Sequence, residues 1–267
     1  MDRETRSQKV SPDKVNAEKE SLTSIDKALI ILETLGSDPY EYKVQALAQK
    51  TGFNRSTVYR MLRTLESHHL VVYESETDRY KIGPGMYHIG ATYLYNHNYS
   101  NKIQDILSEI SDITKESVGM AVKDGDKIIS IFEIEVHQPM KLNDVPGRYF
   151  TVNKGNYGKC IMAYQDPEYI DRFLDTQTFE KTCPRTLTEK EELLEEYSRI
   201  RAQGYSESID ELGIDILGAG VPLFDKRGKI KACVAVAFFR DDGWEEKLVN
   251  IRNILLSYKK ELEKYLP

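Results

Sequence analysis

Between Asn54 and Leu65 the chain carries three arginines, Arg55, Arg60 and Arg63, and no acidic residue. Turned through about 100° per residue, Val58, Met61, Leu62 and Leu65 gather on one side of a helix. Ser56, Arg60 and Arg63 fall on the other side, flanked by Thr57 and Tyr59. A guanidinium can fork onto a guanine edge or a phosphate, and Ser, Thr and Asn side chains bond to either. The start of such a helix, at Asn54, Ser56 and Thr57, is itself a phosphate site. Downstream, Arg79 and Lys81 alternate with Tyr80, so on a strand both cations share one face. Residue types and spacing together point to duplex DNA, with Asn54, Arg55, Ser56, Thr57, Tyr59, Arg60, Arg63, Arg79 and Lys81 as the contacting set.

The neighbouring elements must hold that helix. Thr23 or Ser24 can cap a first helix, and Ile25, Ala28, Leu29, Leu32 and Leu35 give it an apolar stripe. Gly36-Ser37-Asp38-Pro39 ends it. Val44 to Lys50 reads as a second, short helix with Val44, Leu47 and Ala48 inward, broken at Thr51-Gly52-Phe53. The arginine-bearing helix follows from about Asn54 to Ser67. Leu70 to Tyr73 and Arg79 to Ile82 read as a hairpin around the polar turn Glu74 to Asp78. Three helices and a hairpin spell a winged helix-turn-helix over 22–83. His68 and His69 read as surface residues at a helix end, since adjacent residues do not face one ligand.

Composition sets outer limits. The chain has 267 residues, 40% apolar and 30% charged, enough for two domains with real cores. Lys and Arg total 37 against 43 for Asp and Glu, a net charge of -6, which excludes a globally basic coat but not a local basic face. No apolar run is long enough for a membrane span. Residues 1–21 hold balanced charge and no periodicity, so they read as a disordered arm without a signal-peptide core. These features predict a cytoplasmic protein. Cys160, Cys183 and Cys233 match neither a zinc spacing nor a disulfide framework and read as small buried residues, Cys233 most clearly within Ala-Cys-Val-Ala-Val-Ala.

Gly83-Pro84-Gly85 punctuates the first domain, and Met86, Ile89 and Tyr93 suggest a linker helix over 84–98. A second domain, 99–267, follows. Ile103, Ile106, Leu107, Ile110 and Ile113 mark a helix. Val118 to Val122 and Ile128 to Phe132 form a hairpin. Asp166-Pro167 opens a helix through Leu174, and Thr188 with Glu191 has the form of a capping box for a helix ending at Gly204. Ala219 to Phe224 and Lys231 to Phe239 read as strands. The last helix carries Trp244, Leu248, Ile251, Leu255, Tyr258, Leu262 and Leu266. The class is α+β with a mostly antiparallel sheet.

The stretch Asn-Arg-Ser-Thr-Val-Tyr-Arg-Met-Leu-Arg-Thr-Leu-Glu-Ser-His-His-Leu-Val, followed by Arg-Tyr-Lys-Ile-Gly, resembles the IclR family of bacterial transcriptional regulators. The resemblance continues in Asn156 to Ala163 and in Gln203 to Ala237. Within the family the chain most resembles the sugar-acid-responsive members of the 2-keto-3-deoxygluconate-regulator type. It implies a GAF-like C-terminal domain whose pocket binds an effector, with Leu142, Phe150, Asn156, Tyr157, Gly158, Ser208, Gly218, Ala235 and Ala237 lining it. Apolar walls with a few polar groups suit a small organic acid. Asn156-Tyr157-Gly158, read as lying before a helix, would offer backbone N–H groups to its carboxylate. Family positions that are often small or hydroxylated are Asn156-Tyr157 and Ala235/Ala237 here.

Catalysis finds little support. Gly155 to Lys159 lacks the length and the following Ser or Thr of a Walker loop, and there is no Gly-x-Ser-x-Gly elbow. The histidines never take metal-ligand spacing, and no cofactor or metal is implied. Asp210, Glu211 and Asp215 read as a solvated or loop-ordering acidic patch. Lys159 reads equally well as a surface residue or as part of the pocket. The sequence therefore predicts a ligand-responsive repressor of a catabolic operon. It would act on operator DNA as a homodimer or homotetramer, since one winged helix reads few base pairs. The second reading is a winged helix used as a protein–protein module beside a constitutive dimeriser.

Overall fold

The computed structural model describes residues 22–96, 101–136 and 146–266. The expected arm 1–21 and the end of the expected linker, 97–98, lie outside them. The chain divides into two compact units, 1–96 and 97–267.

In the first unit, α1 (Ser24–Leu35) starts at a capping box: the Asp26 N–H donates to the Thr23 hydroxyl at 3.2 Å, and the Thr23 N–H donates to the Asp26 carboxylate at 2.8 Å. Its buried residues are Ile31 and Leu35, while Ile25 and Leu29, expected on the inward stripe, are exposed. Residues 28–32 are all apolar, so periodicity could not choose among them. Then come β1 (Glu41–Tyr42), α2 (Val44–Thr51) and α3 (Arg55–Ser67). Gly52, at φ 71°, makes the tight turn between α2 and α3. β2 (Val71–Glu74) and β3 (Arg79–Ile82) form the hairpin. β1 joins it, giving the order β1-β3-β2, a strand too short to show a period in the sequence. Val58, Met61, Leu62 and Leu65 of α3 close on Ile31, Leu35, Leu47, Phe53 and Tyr80. α4 (Pro84–Asn96) has no buried residue, and Ile89 and Tyr93 are exposed.

The second unit is a six-stranded antiparallel sheet, β6-β5-β4-β9-β8-β7, between two helical layers. Its elements are α5 (Asn101–Thr114), β4 (Ser117–Asp124), β5 (Lys127–Ile134), β6 (Tyr149–Phe150), α6 (Gly155–Ala163), α7 (Pro167–Thr176), α8 (Lys190–Gln203), β7 (Ser206–Ile209), β8 (Ile216–Phe224), β9 (Ile230–Phe239) and α9 (Trp244–Lys264). The class is α+β, as expected. α5 and α9 cover one sheet face, and α6 lies on the other with α8 behind it. Asp166 caps α7 through the Glu168 and Tyr169 N–H groups, with Pro167 at its first position. The expected Thr188–Glu191 box is absent: Glu189 is the N-cap of α8 and makes no side-chain bond, and Thr188 donates to Glu189 instead. Ile113 is exposed at the end of α5.

The run of small residues in β8 and β9 has a packing cause. A Cβ on Gly220 would sit 2.8 Å from the Asn156 Cβ, and one on Gly218 would sit 2.8 Å from Asn156 Nδ2. Together with Ala121, Cys233 and Ala235, these positions let α6 rest directly on the sheet.

Candidate nucleic-acid interface and effector pocket

The outward face of α3 is open. Asn54, Arg55, Ser56, Tyr59, Arg60 and Arg63 are exposed and Thr57 is half-buried. Asn54 is the N-cap but makes no capping bond, and the first turn holds no acid. The free N–H groups and the dipole there suit a phosphate. Arg55 and Arg60 form no ion pair with any described residue, whereas Arg63 reaches Glu66 at 3.3 Å. His68 caps the end of α3 and His69 follows at φ 59°, both at the surface.

The hairpin is different. Arg79 and Lys81 share a strand face, but Arg79 donates to Glu41 at 2.7 Å and Lys81 to Glu74 at 2.6 Å. The hairpin turn adds Glu76 and Asp78. A phosphate would have to displace a carboxylate from either cation. The helix, not the hairpin, presents uncommitted positive charge.

In the second unit, Phe150, Asn156, Tyr157, Ala235 and Ala237 meet around one pocket. Ser208 and Gly218 pair across β7 and β8 beside it, with Gly218 against Asn156 Nδ2. Gly158 has another role: a Cβ there would lie 1.9 Å from the Thr151 carbonyl, so it permits close packing of α6. Asn156, Tyr157 and Gly158 are inside the first turns of α6 rather than before it. Leu142 lies outside the described residues. Sequence reasoning missed Ser117, Gly119, Glu133, Lys154, Gly155 and Leu212, which also line the pocket. The one available signal was Glu133, an acid closing the apolar run Ile128 to Phe132.

Lys159 is fully buried, which removes the surface reading. Its ammonium donates to Glu196 at 2.8 Å, Glu211 at 2.6 Å and the Glu207 carbonyl at 2.8 Å. Glu211 also accepts from the Gly155 N–H at 2.9 Å, so it ties the β7–β8 loop to the start of α6. Burial pushes the Glu211 carboxyl above its ordinary value, against the pull of Lys159. Asp210 and Asp215 both hold Arg240, at 2.5 and 2.9 Å. Although partly desolvated, Asp210 is kept below the usual carboxylate range by that guanidinium. The acidic patch orders a loop, one of the two roles the sequence left open. Cys160 and Cys233 are buried, and no cluster of metal-binding side chains exists among the described residues. No described helix is long and apolar enough to cross a membrane.

The pocket's polar groups are unevenly spent. Asn156 is 7% exposed; its Oδ1 accepts from Ser206 at 3.1 Å, while its Nδ2 donates to no described residue. The Ser208 hydroxyl, also buried, has no hydrogen-bond partner. Buried polar groups left without partners are costly, and pockets that bind polar ligands keep them.

Comparison with known proteins decides the family. Residues 24–75 match the IclR helix-turn-helix domain, and residues 91–262 match the C-terminal domain of the bacterial transcriptional regulator IclR. The chain belongs to the IclR family of bacterial transcriptional regulators. The HTH-type transcriptional regulator KdgR of Dickeya chrysanthemi is 29% identical over 82% of this chain and 72% of its own length. KdgR of Escherichia coli is 28% identical over 82% and 83% respectively. Among solved structures, an IclR regulator from Alicyclobacillus acidocaldarius superposes with a TM-score of 0.80 at 22% identity, covering 92% of this chain and 99% of that one. An IclR homologue from Microbacterium hydrocarbonoxydans, solved in complex with 4-hydroxybenzoate, gives 0.75 at 14% identity over 91% and 100%. This IclR-family chain is a DNA-binding regulator with a C-terminal effector domain, and its relatives are transcription regulators rather than enzymes.

Proposed function

We propose that the chain represses a catabolic operon until a small organic acid fills the α6 pocket. α3 enters the major groove, with Arg60 and Arg63 toward base edges and Asn54, Arg55, Ser56 and Thr57 toward the backbone, flanked by Tyr59. Arg79 and Lys81 add little, because each is already paired. The observation that carries the DNA half is that Arg55 and Arg60 are exposed and pair with no described residue, beside a helix start whose N-cap side chain makes no bond.

The effector half rests on Asn156, which lines the pocket at the N-terminal end of α6 and whose Nδ2 donates to no described residue. A carboxylate there would gain that amide and the positive end of the helix dipole. One solved homologue, in complex with 4-hydroxybenzoate, supports this ligand class. Binding shifts the population between DNA-competent and released forms of a homodimer or homotetramer, acting through the 84–98 segment.

Purified protein titrated onto its own upstream DNA, with unrelated duplex as competitor and with or without candidate acids, tests the reading. Specific binding that weakens when sugar acids or aromatic acids are added is the expected result. Specific binding unaltered by any of them would remove the effector half. Absence of preference for the upstream DNA in every condition would remove both.

A further inference from the structure

One face of the winged hairpin is a closed arrangement of four charges. Glu41 of β1 lies opposite Lys81 of β3, and Glu74 of β2 lies opposite Arg79. Residues two apart on a strand share a face, so Arg79 and Lys81 stand together with an acid beside them on each neighbouring strand. The ion pairs cross this arrangement: Arg79 reaches Glu41 at 2.7 Å and Lys81 reaches Glu74 at 2.6 Å. Nearby, Lys43 meets Asp78 at 3.6 Å. In β1, the hairpin and Lys43, the acids Glu41, Glu74, Glu76 and Asp78 outnumber the bases Lys43, Arg79 and Lys81. On α3 the balance is reversed, with Arg55, Arg60 and Arg63 against Glu66 alone. The hairpin's other face supplies Tyr42, Val71 and Tyr80 to the core of the unit. Its charged side chains are 39–47% exposed, so as links between strands these pairs contribute little. What they do is occupy both cations, since a carboxylate takes the place on a guanidinium or ammonium that a phosphate oxygen would take.

We propose that Glu41 and Glu74 are specificity-determining residues of DNA binding: built-in phosphate mimics that hold Arg79 and Lys81 from sequence-blind contacts and leave recognition to α3. The inference rests on the operator-binding reading above and adds what sets its selectivity. Phosphate contacts supply essentially all of non-specific binding and carry no sequence information. On unrelated duplex no base contact fixes the protein's orientation, so every uncommitted cation can find a phosphate. On the operator, α3 fixes the orientation, and hairpin cations gain only where a phosphate already lies within their reach. Holding those two cations therefore weakens binding to unrelated DNA more than binding to the operator. The ratio of the two, rather than either affinity, decides occupancy among the competing sites of a genome.

Fluorescence anisotropy of the full-length protein on its upstream duplex and on an unrelated duplex, across a salt series, tests this. Glu41→Gln/Glu74→Gln is expected to bind unrelated duplex about threefold or more tighter than the parent at low salt, with a slope steeper by about one for each cation released. Its preference for the upstream duplex is expected to fall. Adding Arg79→Gln and Lys81→Gln to that variant should return the slope to the parent's. Glu33→Gln/Glu76→Gln removes two exposed acids that form no ion pair with any described residue, so it releases no cation and should leave the slope unchanged. Thermal unfolding checks that each variant folds; should the Glu41/Glu74 variant not fold, the single substitutions carry the test, each with half of the change. An unchanged slope in the folded variant, an equal change in the Glu33/Glu76 control, or a steeper slope that survives loss of Arg79 and Lys81 would overturn the proposal. So would an equal gain on both duplexes, which leaves the preference untouched. If the parent prefers its upstream duplex and the variants behave like it, only this inference falls. If the parent has no preference, the operator reading falls and takes the specificity role with it.

Discussion

α3 and α6 both place a helix start at a candidate site, but their polar groups are disposed in opposite ways. At α3 the N-cap side chain makes no capping bond, and Arg55 and Arg60 are exposed without an ion-pair partner among the described residues. At α6 the first N–H is held by Glu211, and Lys159 is locked between Glu196 and Glu211 with no exposure at all. A site that meets a polyanion can leave its charges hydrated, because the partner supplies the counter-charge on arrival. A site that meets one small molecule must be rigid before it arrives, so its frame is internally satisfied and only a few groups stay open. Here that is Asn156 Nδ2, which donates to no described residue.

That contrast can be broken most forcefully at Lys159. Lys159→Met leaves the buried Glu211 without its cation and Glu196 with Arg199 alone, and is expected to cost about 3–5 kcal/mol of stability in denaturant unfolding. A loss no larger than that of a surface lysine would show that the frame is not held as described. At α3 the expectation reverses. Arg60→Ala should cost about 1–3 kcal/mol of operator affinity while the unfolding midpoint stays put. A fallen midpoint with intact affinity would make Arg60 a structural residue.

A subtler effect concerns pH. The Glu211 carboxyl is raised by burial, so its contribution to stability is complete below its unfolded value and is lost as pH rises through the raised folded value. Relative to Glu211→Gln, the parent protein should therefore gain stability as pH falls from neutrality toward about 4.5. A stability difference that shrinks on acidification would contradict the raised value. Smallest of all should be Arg79→Ala, which removes a partly exposed ion pair with Glu41. Less than about 1 kcal/mol of DNA affinity is expected to go with it. A loss matching that of Arg60→Ala would return the hairpin to the interface.

The same contrast explains what the sequence disclosed. The α3 face was legible because a local periodicity of 3.6 separates Val58, Met61, Leu62 and Leu65 from the arginines, and exposed residues need no distant partner to be interpreted. The winged hairpin was legible in outline, yet the pairing of Arg79 with Glu41 was not, since β1 has only two residues and lies 38 positions away. In the second unit, the strands at 219–224 and 231–239 stood out by their apolar runs. β7 did not, because Ser206 and Ser208 are polar residues on its inward face. The pocket was traceable in Phe150, Asn156, Tyr157, Ala235 and Ala237. The Lys159–Glu196–Glu211 cluster was invisible: its members come from α6, α8 and a loop, and each alone looks like surface charge. Ile25 and Leu29 show the reverse error, apolar residues that the fold of the unit leaves exposed.

The central claim, that uncommitted arginines on α3 carry DNA recognition, is tested most directly by competition binding across a salt series. The parent protein and an Arg55→Ala/Arg60→Ala variant would each be titrated onto the upstream DNA against unrelated duplex. The account predicts specific, salt-steep binding by the parent. For the variant it predicts a shallower salt slope, by about one per lost phosphate contact, and lost preference for the upstream sequence at an unchanged unfolding midpoint. A variant that keeps both the slope and the preference would contradict it.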